Sequence, residues 1–410
     1  MLFDVAPKER REDFYDREGE LKEILEALRL GERLIVVYGV RRIGKSSLVK
    51  VALREANLPY ALVDVRELYY AENIVTMPYL VRYLIDGFKK HMKWYEKLGF
   101  NLKEALKRIK RIHVKDYGVE LEPTARISLT TLFSEINSWC SRHGMRFAFV
   151  FDEAQYLRFS NVRYDGLLAW AVDNLSNITF ILTGSEVGVL REFLRVDDVK
   201  APLFGRYRRE VYVGRFTRER SLDFLKQGFK ELNLKPKMSE LEEAVETFDG
   251  LVGWLTHYGY YRAIRKLTHK DAMAKVFEEG SKLVLEELEK IIAPSRKRYT
   301  AILKAVAHGA ASWSEIKAYV TATTGYIGDK RFTELLKNLV KYGYLAKENN
   351  KYKIPDPIVK HLCKHIKQNT HHHTKPEPTN TTNHFSPNHN QKQNIQASTN
   401  EVFSISLQLM

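Results

Sequence analysis

Gly39-Val40-Arg41-Arg42-Ile43-Gly44-Lys45-Ser46 decides how this chain is read. The octapeptide fits the phosphate-binding pattern GxxxxGK[ST] and directly follows the apolar, β-branched run Leu34-Ile35-Val36-Val37-Tyr38. Such a loop works only where it joins a buried strand to a helix N-terminus, because there the backbone N–H groups converge on an anion. Both flanks satisfy this, since Ser47-Leu48-Val49-Lys50-Val51-Ala52-Leu53 continues as a helical pattern. Gly39 and Gly44 let the backbone wrap closely around the anion. Lys45 is a point charge for β- and γ-phosphates, and Ser46 offers its hydroxyl to Mg²⁺. Arg41, Arg42 and Ser47 complete the set of phosphate-loop residues expected at the bound group. Upstream, Leu21, Ile24, Leu25 and Leu28 have the spacing of a core-facing helix that Gly31 stops.

A phosphate loop alone does not separate hydrolysis from transfer to a substrate. A second run, Phe147-Ala148-Phe149-Val150-Phe151, ends in Asp152-Glu153-Ala154-Gln155. In a parallel sheet this puts two carboxylates at the C-terminal edge, where open α/β sheets bind ligands. Asp152 suits the Mg²⁺ shell through water, and Glu153 is the candidate general base for an attacking water. A third strand, Ile178-Thr179-Phe180-Ile181-Leu182, is expected beside it and ends in Thr183-Gly184-Ser185-Glu186. Thr183 and Ser185 are both candidates to orient that water; the competing reading makes Ser185 a helix cap. Ala201-Pro202-Leu203-Phe204-Gly205-Arg206 follows, with Arg208, Arg209, Arg215, Arg218 and Arg220 behind it. Arg206 is a candidate arginine finger, against the alternative of a basic surface segment.

Taken in order, Phe14-Tyr15-Asp16-Arg17-Glu18-Gly19-Glu20-Leu21, GVRRIGKSSL, VFDEAQYL, FILTGSE, the PLFGR segment and a distal unit ending in Tyr352-Lys353-Ile354-Pro355-Asp356-Pro357 form one constellation. It resembles the archaeal ATPase family of P-loop proteins, within the AAA+ and STAND group, over roughly residues 10–362. The resemblance implies an ATP-binding core, a small helical lid and a C-terminal winged helix. It also implies that the Phe14–Arg17 region, with Asp16 and Arg17, lies near the adenine and that Arg206 takes the finger position. The lid turn departs from the family's Gly-Gly-x-Pro-like pattern. Asp249-Gly250-Leu251-Val252-Gly253-Trp254-Leu255 has Val252 where proline is expected, so the usual lid contact through that residue is not carried over.

The fold class read from these segments is α/β: a parallel-sheet P-loop core over 1–213, a helical lid over 214–293, a winged-helix domain over 294–367 and a low-complexity tail over 368–410. Residues 68–146 read as mostly helical, with a small extended excursion near 109–121. The lid carries helical patterns at Ser221–Leu232, Ser239–Thr247, Trp254–Leu267 and 271–292. In the winged helix, Tyr299–Ala307, Ser312–Tyr319 and Asp329–Tyr342 are helices, and the segments flanking Glu348-Asn349-Asn350 form a hairpin wing. Lys330, Arg331, Lys337 and Asn338 lie on the polar face of the third helix, suited to double-stranded DNA; docking to a protein partner is the alternative.

The formal charge of +15 favours an acidic partner without naming one. Lysines and arginines crowd the stretch from Lys89 to Lys115, interleaved with Phe88, Trp94 and Tyr95. This reads either as a solvated helix face or as a phosphate-tracking surface. Cys140 and Cys363 are the only cysteines and form no metal-ligand pattern. No apolar stretch is long enough for a membrane span, and the start lacks the order of a secretory signal, so a cytoplasmic protein is expected. The Asn-, Thr- and His-rich tail, His371-His372-His373 included, reads as a disordered tract that does not bind metal strongly. The leading function is an Mg²⁺-dependent ATPase coupled to its winged helix. An ATP-sensing DNA-binding regulator with little turnover is the rival, and a small-molecule kinase the third. Arg206 acting in trans would demand an oligomer.

Overall fold

The structure, a computed structural model, describes residues 1–72, 74–90, 112–115, 118–121 and 128–365. Most of the basic stretch between Lys89 and Lys115 and the whole tail from 368 lie outside the described residues. The chain opens with α1 (Glu18–Leu30), β1 (Leu34–Tyr38), α2 (Lys45–Glu55), β2 (Tyr60–Asp64), α3 (Val65–Glu72) and α4 (Met77–Lys90). The antiparallel pair β3 (Ile112–Lys115) and β4 (Gly118–Leu121) falls in the expected extended excursion. Then come α5 (Leu129–Arg142), β5 (Phe147–Asp152), α6 (Tyr164–Asn174), β6 (Ile178–Gly184), α7 (Val187–Leu194) and β7 (Arg209–Tyr212).

The sheet order is β2-β5-β6-β1-β7, and every pairing in it is parallel. Strand side chains alternate between faces. Ile35, Val37, Ala148, Val150 and Ile181 enter one core with α1, α2 and the lid. Leu34, Val36, Tyr38, Phe147, Phe149, Phe151, Phe180 and Leu182 enter a second with the α3–α7 side. Both faces are thus covered, as in a doubly wound α/β fold. Phe88 belongs to that second core, edge-on to Trp139 and Phe147 at 5.7 and 4.7 Å, so it is no exposed stacking ring. Register brings the strand ends to one edge: Asp64 stands opposite Asp152, Phe151 opposite Leu182, and Val37 opposite Thr183.

β7 was not expected. Only Val211 of its four residues is buried, so the apolar alternation is too short to separate an edge strand from a basic surface run. The lid consists of α8 (Arg218–Glu231), α9 (Met238–Phe248) and α10 (Val252–Gly259), the last breaking into a π-helical turn over Tyr260–Ile264. The long α11 (His269–Ile292) leads to the winged helix: α12 (Arg296–Ala307), α13 (Trp313–Thr324), α14 (Asp329–Lys341), β8 (Ala346–Glu348), β9 (Lys351–Lys353) and a final α15 (Pro357–His365) that sequence patterning did not anticipate. Ser312 caps α13, with Glu315 closing a capping box. Asn349 and Asn350 both adopt positive φ, the conformation that a two-residue hairpin turn needs. Among the described residues no helix is long and apolar enough to cross a membrane. Met1–Gln368 forms one compact unit, and a single hydrophobic cluster runs from the sheet through the lid into the winged helix.

The N-terminal segment is pinned by Phe3, which lies edge-on to Phe224 and Phe229 at 5.8 and 5.0 Å. A Cβ on either Gly228 or Gly259 would stand 2.3 Å from that ring. Gly259→Ala is therefore expected to overpack the socket, at about 1–3 kcal/mol. Thermal unfolding checks this; an unchanged melting temperature would contradict the socket.

Candidate functional site

The loop between β1 and α2 has the shape its sequence requires. Gly44 sits at φ 95 and Arg42 at φ 61. A side chain on Gly39 would meet the Val213 carbonyl at 2.8 Å, so the turn is tight as well as strained. Lys45 is buried and donates to the Val40 carbonyl at 3.0 Å. Burial lowers its pKa, opposed by the charges of Glu153 and Asp152. Ser46 Oγ donates to Asp152 Oδ2 at 2.6 Å, and the Thr183 hydroxyl donates to Asp152 Oδ1. Burial and the neighbouring Glu153 charge push the Asp152 carboxyl up, partly offset by those two hydrogen bonds. A hydroxyl and a carboxylate side by side form a hard-oxygen donor pair that fits Mg²⁺. Among the described residues no group of three or more His, Cys, Asp or Glu side chains is arranged to hold a metal.

Thr183 and Ser185 divide the work that sequence left open between them. Thr183 serves Asp152, whereas Ser185 Oγ donates to Glu153 Oε2 at 2.6 Å. Gln155 Nε2 reaches the same Glu153 oxygen at 2.6 Å, and the Ser185 backbone N–H at 3.2 Å. Ser185 makes no helix cap; α7 has Glu186 at its N-cap and no side-chain capping bond. Glu153 itself is left-handed at φ 52, a conformation that a non-glycine residue holds only when its surroundings impose it. Burial opposes its charge, but Lys45, Arg41, the Ser185 hydroxyl and Arg66 outweigh that and hold the carboxyl down to about 2.

The two loop arginines share Glu287 but otherwise differ in their partners. Arg41 donates to Glu287 Oε2 at 2.9 Å, to Glu186 Oε1 at 2.8 Å and to the Tyr344 hydroxyl at 2.6 Å. Burial works against its charge, yet these neighbours keep its pKa well above the ordinary value. Arg42 stacks on Trp254 at 4.3 Å, and its carbonyl accepts from the Gly253 N–H at 2.8 Å. Arg66, just past β2, pairs with Asp64 at 3.3 Å and approaches Glu287 at 3.7 Å. Sequence reading missed Arg66 and Glu287; neither has a local motif.

A cavity of about 380 Å³ lies over the loop. Its floor is Arg41 to Ser47 with Glu153, and its walls include Phe14, Tyr15, Phe216 and Phe224. The segment Asp4–Lys8 borders it, fastened by the Lys8 N–H to Ser47 Oγ bond of 2.9 Å. Arg17 also lines the cavity; it is 4% exposed, stacks on Phe216 at 4.5 Å and reaches the Ile43 carbonyl at 3.4 Å, which ties it to the loop. Asp16 does not line this cavity and instead pairs with Arg220 at 3.2 Å. Val252 opens the lid helix α10 and lines the cavity, its Cγ1 3.7 Å from where a Gly44 Cβ would stand. The lid thus meets the phosphate loop without the family's proline.

Arg206 is not brought to the loop within this chain. It lies on the surface, bound to Asp173 at 2.6 Å through its guanidinium. In the winged helix Lys330, Arg331 and Lys337 are exposed along α14. Asn338 differs from expectation: its amide donates to the Tyr299 hydroxyl at 3.0 Å, because position 338 borders the apolar face set by Leu335 and Leu339. Lys341, one turn further, pairs with Glu192 on α7 and packs against Gly188, so this end of α14 rests on the core.

A parallel sheet, a phosphate loop between β1 and α2 and a carboxylate pair at the end of β5, one strand removed from β1, define a P-loop nucleotide-binding fold with a C-terminal winged helix. Residues 14–257 match the family described as an ATPase domain predominantly from Archaea, and the chain belongs to that family. Residues 294–355 match the MCM protein C-terminal winged helix-turn-helix domain. Among solved structures, a Walker-type ATPase of Pyrococcus abyssi is 38% identical, covers 89% of this chain and 100% of its own, and superposes with a TM-score of 0.75. The ORC2 protein of Aeropyrum pernix, solved in ADPNP–ADP complexes, is 13% identical with a TM-score of 0.58, covering 88% of this chain and 97% of its own. At that identity the second likeness concerns fold alone. No curated protein sequence matches the chain.

Proposed function

We propose that this chain binds Mg²⁺–ATP in the cavity over residues 39–47 and hydrolyses it, and that phosphate occupancy is communicated to the winged helix. The observation carrying this reading is the paired geometry at the sheet edge. Asp152 is held by Ser46 and Thr183, while Glu153 is held separately by Ser185 and Gln155. One carboxylate is thus positioned with the Mg²⁺-side hydroxyl and the other is kept ionised as a base. Mg²⁺, when bound, would neutralise charge on the phosphate oxygens. Lys45 and the loop N–H groups hold the phosphates, and the aromatic wall of Phe14, Tyr15, Phe216 and Phe224 suits an adenine ring. Calorimetric titration with ATP, with and without Mg²⁺, tests this; the reading expects micromolar binding strengthened by Mg²⁺, and no binding would sink it. Arg206, exposed and paired with Asp173, could serve as a finger only toward a neighbouring molecule.

The exposed Lys330, Arg331 and Lys337 favour a second reading for the output, binding of duplex DNA through the free part of α14. Each DNA phosphate that a lysine neutralises adds roughly 0.9 to the slope of log K against log salt. Replacing Lys330 and Lys337 together by alanine is expected to reduce that slope by about 2 in a fluorescence anisotropy titration. A slope identical in parent and variant would assign the winged helix to a protein partner instead.

A further inference from the structure

We propose that Glu287 is a built-in competitor for the guanidiniums that would receive the terminal phosphate, and so sets the preference for nucleoside triphosphate over diphosphate. This inference rests on the cavity being the nucleotide site. Three arginines from two separate segments converge on this one carboxylate. Arg41 lies 2.9 Å from its Oε2, while Arg42 and Arg66 lie 3.9 and 3.7 Å from its Oε1. Glu287 is 14% exposed and comes from α11, far along the chain from all three. It lines the same cavity as Lys45, Ser46 and the loop arginines.

The chemistry of exchange is direct. A guanidinium presents the same planar fork to a carboxylate and to a phosphate, so the two anions compete for it. Most of the positive charge at the γ-phosphate end of the loop is therefore already engaged by protein. Arg41 also binds Glu186, and Arg66 binds Asp64, but those carboxylates lie at strand ends of the sheet. Glu287 alone among these partners sits on the helix that continues into the winged helix. Its neighbours Val284 and Leu288 are buried in the core shared with that module. The hydroxyl of Tyr344, just before the wing, shares Arg41 with it. A triphosphate that draws Arg41 and Arg66 away releases both Glu287 and Tyr344, whereas a diphosphate lacks the group that would do so.

Glu287→Gln keeps the side chain's size and removes its charge. Titration calorimetry with ADPNP and with ADP, on the full chain and on the variant, reads the effect without turnover. The ratio of ADP to ADPNP dissociation constants is expected to rise about tenfold in the variant, within the usual range of coupling between sites. A ratio unchanged from the parent chain overturns the proposal, even if both affinities shift together. Glu287→Asp, which retracts the carboxylate while retaining charge, is expected to raise the ratio less than Glu287→Gln; an equal or greater rise would also overturn it. Limited proteolysis of the parent chain supplies an independent readout: ADPNP should expose the winged-helix linkage more than ADP does, and identical patterns would contradict the release of Tyr344. If the parent chain binds neither nucleotide, the nucleotide reading itself fails and takes this inference with it.

Discussion

Glu153→Gln is expected to bind ATP within a few-fold of the parent chain while hydrolysing it at least ~100-fold more slowly, the lower end of what a positioned general base supplies. The substitution changes one atom and leaves an acceptor oxygen for Ser185 and Gln155, so the left-handed turn at 153 stays supported. In the proposed mode Lys45 and backbone N–H groups would hold the phosphates, and the change replaces neither. What disappears is the ionised carboxylate that Lys45, Arg41 and Arg66 maintain against burial. Turnover is read by phosphate release and affinity by calorimetry. Loss of binding together with turnover would mean that Glu153 organises the pocket rather than acting on water.

Lys45→Ala is the second large effect, and it falls on binding. Lys45 is buried beside Asp152 and Glu153, so its ammonium is already held in place where the phosphates would lie. Truncating one partner of a buried charge pair costs about 2–5 kcal/mol, which predicts at least a ~30-fold weaker affinity for ATP. The same change removes the buried cation that interacts with both adjacent carboxylates, so the variant is also expected to melt lower. An affinity equal to that of the parent chain would place the phosphates elsewhere in the cavity.

Much of this site was legible because its signals are local. The strand–loop–helix around Lys45 and the apolar run ending in Asp152-Glu153 each occupy a few consecutive residues, and the sheet edge unites them. The division of Thr183 and Ser185 between the two carboxylates was not legible. Both hydroxyls are two residues apart on one strand end, and only the register of β5 against β6 tells them apart. Arg66 and Glu287 were hidden for another reason. Each looks like an ordinary surface charge in its own segment, and their meaning comes from a meeting across more than two hundred residues. Asn338 was misjudged because it borders the apolar stripe of α14, where a small rotation turns a side chain from solvent toward Tyr299. The Asp4–Lys8 border of the cavity was likewise unreadable, unlike Phe14 and Tyr15, since that segment is anchored through Phe3, which Gly228 and Gly259 seat rather than any pattern of its own.

The central claim, hydrolysis of ATP at the Lys45–Asp152–Glu153 site, is tested most directly by phosphate release from Mg²⁺–ATP with the parent chain and Glu153→Gln in parallel. The account predicts steady release by the parent chain, abolished without Mg²⁺ and reduced at least ~100-fold in the variant. Equal release by the two proteins would contradict it.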